Sequence, residues 1–176
     1  MTISSGLASD PAAEVTRKLD LIESGKAKPG AVFRFTAAEL NAWVRVTAPT
    51  IIDDGFRQPH LVLGNGEASG TALIDFLKVR HASGIETNWL VAKLIQGEKL
   101  VTVRAGIQSA RGRATVHVLR VEIGGLAVTG AALDFLVQNF FLPFYPDAKI
   151  DEPFNLASNV DRIAITPAEA VVYMRK

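Results

Sequence analysis

Three histidines, His60, His81 and His117, are the side chains best suited to metal ligation or acid–base work in this sequence. A metal site legible in sequence sets its ligands at short fixed spacings, as in H-E-x-x-H on one helix face. No two of these histidines, and no histidine with a carboxylate pair, share such a spacing. They read as surface or strand-edge residues. Hydrolase chemistry at His117 or His60 would need a carboxylate brought close by the fold. The paired carboxylates Asp53-Asp54 and Asp151-Glu152 stand near turn-forming Gly or Pro, where acidic groups serve solvation and local hydrogen bonding. Asp75 interrupts an apolar run and reads as facing solvent at a gap in its cover. Cysteine is absent, so thiol catalysis, disulfides and cysteine zinc sites are excluded.

Two further patterns invite a functional reading. Gly64-Asn65-Gly66-Glu67-Ala68-Ser69-Gly70 has the glycine density of a phosphate-cradling loop. That motif needs a helix directly after the glycines, and here a strand-like run follows, so a hairpin turn is the better assignment. Arg111 and Arg113, with Arg104 and Arg120 nearby, form a basic cluster around a loop that reads as a solvated tip. The expectation is therefore no catalytic residue, no metal and no cofactor.

The elements that would position any site follow from periodicity. Asp10-Pro11 opens a helix with Val15, Leu19 and Ile22 at helical spacing and Gly25 as its stop. A short strand, Ala31 to Phe35, runs into a second helix, where Thr36 and Glu39 form a capping box and Phe35 and Leu40 a hydrophobic staple. Leu40, Trp43 and Val44 make its apolar stripe, and Pro49 is expected to end it. His60 to Leu63 and Ala68 to Val79 flank Asn65-Gly66 as a hairpin. The second arm reads as apolar on both faces, Ala72, Ile74 and Phe76 against Leu73, Leu77 and Val79, and so as covered on both sides.

Thr87 to Ile95 reads as a short helix burying Trp89, with Gly97 as its stop. Val101, Val103, Ala105 and Ile107 then alternate with Thr102, Arg104 and Gln108. After a loop at Ser109 to Arg113, the partner strand Ala114 to Ile123 switches its apolar face from Val116 and Val118 to Leu119, Val121 and Ile123, as a bulge would require. Thr129 caps a helix carrying Leu133, Leu136, Val137, Phe140 and Phe141, closed by Pro143. A last hairpin joins Val160–Ile165 to Val171–Met174. Helices separated by hairpins, without βαβ alternation, predict an α+β fold, a curved antiparallel sheet of hairpins wrapped around or packed on three to four helices.

The chain has 176 residues, of which 48% are hydrophobic and 21% charged, with a net charge of +1. One α+β domain over residues 10–176 is expected, after a disordered or tag-like stretch at 1–9. A mean hydropathy of +0.21 is an apolar surplus that must fill a core or line a cavity. The near-neutral balance argues against nucleic acid as a partner. No run reaches the roughly 18 apolar residues that span a bilayer, and the first residues lack the grammar of an export signal. A cytoplasmic location is then expected, or the cell envelope if the chain is a trimmed mature form. The Phe-rich helix end, Phe135, Phe140, Phe141, Phe144 and Tyr145, reads as core, or as the wall of an apolar pocket or an exposed patch.

The strand leading into Phe35-Thr36-Ala37-Ala38-Glu39-Leu40-Asn41, the break Ile123-Gly124-Gly125 before a helix, and the closing segment Val160-Asp161-Arg162-Ile163-Ala164-Ile165-Thr166-Pro167 resemble bacterial envelope proteins with a tubular-lipid-binding (TULIP-like) fold, including YceB-type lipoproteins. That resemblance implies a long curved sheet around a helix, with an apolar groove for lipid or another hydrophobic chain and no catalytic residue. The leading expectation is non-enzymatic binding of a hydrophobic small molecule or lipid, with peripheral membrane contact. Trp43, Phe76, Trp89, Leu136, Phe140 and Phe141 are the candidate groove residues. The alternative is a structural or protein-interaction module that docks through an exposed Phe-rich surface.

Overall fold

A computed structural model describes residues 9–51, 55–81, 92, 96–142, 149–157 and 159–176. Expectations that fall on residues 1–8, Asp53-Asp54, Trp89 with most of its helix, and Pro143 to Tyr145 lie outside the described residues. Two open antiparallel sheets and four helices make up the described α+β fold.

The first unit is built by local signals. Helix α1 (Pro11–Glu23) starts where Asp10 Oδ1 accepts the Ala12 N–H at 3.1 Å, and it stops before Gly25, which takes φ +69°. Strand β1 (Val32–Thr36) passes directly into α2 (Ala37–Ile51). The capping box forms in full: Glu39 Oε2 accepts the Thr36 N–H at 2.7 Å, and Thr36 Oγ1 accepts the Glu39 N–H at 3.1 Å. Pro49 does not end α2; it sits inside the last turn, where only the bond to the residue four earlier is forfeited.

The final strands complete this unit. β8 (Val160–Ile165) and β9 (Glu169–Met174) form a hairpin, and β9 pairs with β1 to give the order β1-β9-β8. Val15 and Ile22 of α1 bury against Phe35, Val160 and Met174, with Leu40 and Trp43 of α2 at the margin. Lys18 ties the two helices to the sheet. Its Nζ donates to Glu39 Oε1 at 2.9 Å and to the Arg34 carbonyl at 2.8 Å, and stands 5.3 Å from the centre of the Phe35 ring.

The larger sheet runs β2 (Phe56–Leu63), β3 (Glu67–Asp75), β4 (Glu98–Ala110), β5 (Arg113–Ile123) and β6 (Leu126–Ala127) in sequence order, with β7 (Phe154–Asn155) on the far end of β5. Asn65-Gly66 makes the first hairpin, with Gly66 at φ +70°. Arg111 and Gly112, at φ +53° and +76°, make a two-residue turn tighter than the expected loop, as primed hairpin turns require. The bulge in β5 is present: Arg104 faces Arg120 and Ala105 faces Val118, which leaves Leu119 unopposed. Leu119 is therefore 52% exposed and not inward as the sequence pattern implied.

β3 also departs from expectation. It ends at Asp75, whose Oδ1 accepts the N–H groups of Leu77 and Lys78 at 3.1 and 3.3 Å and so starts the short helix α3 (Phe76–His81). Its two faces are unlike. Residues directly opposite across a ladder share a face, which puts Ala72 and Ile74 with Val101, Val121 and Ile123 on one side. The other side carries Ser69, Thr71, Thr102 and Glu122, and is tied by the ion pairs Arg104–Glu67 and Arg120–Glu122. Among the described residues only the first side is covered.

Candidate functional site

The apolar face of the larger sheet is the feature that the rest of the fold frames. Helix α2 lies over β2 at one margin, and α4 (Gly130–Leu136) lies over β5 at the other. Thr129 precedes α4 in extended conformation but makes no side-chain capping bond. Beyond Leu136 the helix widens into a π turn, Val137–Phe141, closed by the Leu142 N–H on the Val137 carbonyl at 2.9 Å. Asn139 Nδ2 donates to the Phe135 carbonyl at 2.8 Å.

Between α4 with its π turn and the sheet lies a hollow of about 350 Å³. Its floor is Ile74, Val101, Val103, Ala105, Val116, Val118, Val121 and Ile123; Phe76 and Ile150 stand at the ends, and Leu133, Leu136, Val137 and Phe141 form the roof. Every described lining residue is apolar. From Val116 to Ile123 the floor follows β5 for roughly 20 Å at about 3.3 Å per residue. A second hollow of about 210 Å³ beneath Val44 of α2, beside Phe56, Pro59 and Leu61, shares Ile74, Val101 and Val103 with the first. The second also has the polar residues His60 and Thr71 in its lining, so the wholly apolar trough is the first hollow, beneath α4.

Part of this surface is buried core and part faces solvent. Phe76, Val101, Val121, Ile123, Val128 and Leu136 pack into a closed cluster at the α3 end. Val103, mid-floor, is 38% exposed and Phe141, in the roof, 40%. An isolated apolar residue at the surface is ordinary; two facing a common hollow lined wholly by apolar groups are what a ligand would cover.

Of the candidate groove residues, Phe76, Leu136 and Phe141 come together here. Trp43 does not; it packs with α1 and the smaller sheet, because the α2 stripe turns toward Phe35 and Val15. Trp89 and the Phe140 side chain lie outside the described residues. Sequence reasoning overlooked Ile150, a single residue bridged to Val116 of β5, although the valine alternation of β4 and β5 was a signal for the floor.

Of the histidines, His60 lines the second hollow, His117 lies apart, and the side chain of His81 is outside the described residues. His117, on the polar face opposite Gly106, has its Nδ1 2.7 Å from Asp151 Oδ1. Both side chains are well exposed, at 39% and 65%, and no hydroxyl joins them among the described hydrogen bonds. His60 is exposed on β2, three strands away, about 14 Å across the sheet at the usual strand spacing and a further four residues along it. No cluster of three or more His, Cys, Asp or Glu that could hold a metal occurs among the described residues. The chain matches no protein-family model and no curated protein.

Proposed function

We propose that the protein binds a hydrophobic ligand, a lipid or other molecule with a single extended hydrocarbon chain, in the trough between the larger sheet and α4. The observation that carries this is the lining: apolar at every described position, yet with Val103 and Phe141 open to solvent. A wall without donors or acceptors recognises length and girth. A polar group buried along the chain would lose its hydrogen bonds to water without replacement, so the polar end stays outside.

Size agrees with such a guest. An apolar cavity of about 150 Å³ takes one six-carbon ring, so 350 Å³ suits a chain of roughly 12 to 14 carbons. Burial of each methylene is worth about 0.8 kcal/mol, which gives a gross driving force near 10 kcal/mol before the costs of association. The resemblance to TULIP-like envelope proteins points to the same class of cargo.

Native mass spectrometry of gently purified protein tests the proposal, together with displacement of a fluorescent fatty acid. Adducts of lipid mass, and uptake that Val103→Asp weakens at least tenfold without lowering the unfolding midpoint by more than a few degrees, are expected. A protein that retains no lipid and takes up no chain of any length would refute it. A concentration-dependent oligomer abolished by Phe141→Ser, with no uptake, would favour the protein-interaction alternative.

A further inference from the structure

Most sheet cations are answered by a carboxylate: Arg34, Arg57, Arg104 and Arg120 each pair with a glutamate. Of the cations that have no ion pair among the described residues, six gather at one pole. Arg111 and Arg113 flank Gly112 at the tip of the β4–β5 hairpin, Arg162 stands on β8, Arg175 and Lys176 follow β9, and Lys28 lies on the loop into β1. All six are exposed.

Backbone contacts fix this convergence. The Gly112 N–H donates to the Asp161 carbonyl at 2.7 Å, and the Arg175 guanidinium fills the space where a Cβ at residue 112 would stand. The Gly30 N–H donates to the Arg175 carbonyl at 2.7 Å, with the Lys176 side chain alongside. Arg162, Arg175 and Lys176 line one open hollow, in which Asp161 has the single side-chain carboxylate among the described residues. The chain as a whole is only +1, so this is a local excess and not a property of the protein's overall charge.

We infer that this basic pole docks the protein on a bilayer rich in anionic phospholipid, with lipid phosphates as the groups it recognises. Nucleic acid fits less well. Single strands are held by aromatic faces on which bases stack, and Tyr173, beside the pole, has its ring covered by the Arg162 guanidinium 3.6 Å from its centre. A duplex is read by a helix or ribbon that enters a groove, and the β4–β5 tip is instead tied back to β8 through Gly112 and flanked by β7. The pole also lies near the Val116–Ile150 end of the trough, since Arg113 precedes Val116 by three residues on β5. Docking would hold that end at the headgroups, where an apolar chain is taken up or given off; this orientation alone rests on the trough reading.

Co-sedimentation with vesicles of equal parts phosphatidylcholine and phosphatidylglycerol, against phosphatidylcholine alone, is the test. Binding to the mixed vesicles only, weakening as salt is raised, is expected. Each basic residue near such a surface contributes roughly fivefold, so R111E/R113E and R175E/K176E should each lower the partition coefficient at least about 25-fold. The remote exchange Lys78→Glu should leave it unchanged. The two double variants alter different strands, so misfolding of one leaves the other to decide. Fatty-acid uptake in solution is followed in parallel: its persistence with vesicle binding lost isolates the pole, and the reverse isolates the trough. No binding to mixed vesicles, equal binding to neutral ones, full binding by both double variants, or tighter retention on a mixed-sequence DNA duplex at the same salt would each overturn the inference.

Discussion

Asn41 holds Leu61 as a neighbouring strand would: its side-chain oxygen accepts the Leu61 N–H at 2.8 Å, and its Nδ2 donates to the Leu61 carbonyl at 2.8 Å. Leu61 lies on β2, the outer described strand of the larger sheet, so these are backbone groups with no further strand among the described residues to pair them. The same Nδ2 also donates to the Ala37 carbonyl at 2.9 Å, and Asn41 is only 7% exposed. One buried carboxamide thus fastens α2 to the sheet and satisfies a sheet edge that would otherwise invite pairing with another chain.

Replacement of Asn41 by Leu keeps the volume and removes every one of these bonds. Two backbone groups are then buried without partners, at about 1–3 kcal/mol each. We expect a loss of about 2–6 kcal/mol in urea unfolding, together with faster hydrogen exchange at the Leu61 amide than at amides of β4. Unchanged exchange at Leu61 would show that the carboxamide does not protect it.

Glu39 gives the fold an acid-sensitive joint. Burial pushes its carboxyl upward, but the Lys18 ammonium and the Thr36 N–H and hydroxyl outweigh that and hold it below the usual glutamate range. A pKa lowered by folding contributes stability that is complete above the unfolded value and is lost as pH falls through the folded one. Glu39→Gln should therefore be less stable than the parent at neutral pH, by about 1 kcal/mol, the usual worth of a helix cap. The two proteins should converge in acid, which denaturant midpoints across the acid range will show. A difference that grows on acidification would contradict the assignment.

Ser109 repeats the Asn41 device where the two sheets meet. Its hydroxyl accepts the Ile163 N–H at 2.7 Å and donates to the Ile163 carbonyl at 2.8 Å, joining β4 to β8. Ser109→Ala should cost about 1–3 kcal/mol, with exchange protection lost at Ile163 before it is lost within β4 and β5. Equal loss of protection everywhere would mean that the two sheets open together, and that this hydroxyl is not their joint.

What was legible in sequence is what local chemistry decides. The capping box at Thr36 and Glu39, the Asp10 cap, the Asn65-Gly66 turn and the alternation of β4 each depend on residues a few positions apart, and each formed. Asn41 and Ser109 were not legible, because their partners lie 20 and 54 residues away and polar side chains carry no period. The run after Asp75 was misread for a related reason: the Asp75 acceptors serve a helix start that the apolar residues following it disguised as more strand. The trough lay between these cases. Its floor was written in the valines of β4 and β5, whereas the placing of Trp43 outside it depended on how α2 rolls against α1.

The β5 bulge permits the sharpest test of register, because Leu119 is a surplus residue between Val118 and Arg120. Leu119→Lys should change stability by no more than about 0.5 kcal/mol, as at other exposed positions. Val121→Lys should be severe, since Val121 is 8% exposed within the apolar cluster and an ammonium there has no partner. Deletion of Leu119 is more informative than either. Without it, Val118, Arg120 and Val121 alternate as a regular ladder opposite Ala105, Arg104 and Val103, so the cross-strand contacts Ala105–Val118 and Val103–Val121 should survive in NMR spectra. The extra twist that a bulge imposes is lost, however, and the floor beneath α4 should flatten and hold an extended chain less well. Loss of both cross-strand contacts on deletion would show that Leu119 is not the unopposed residue.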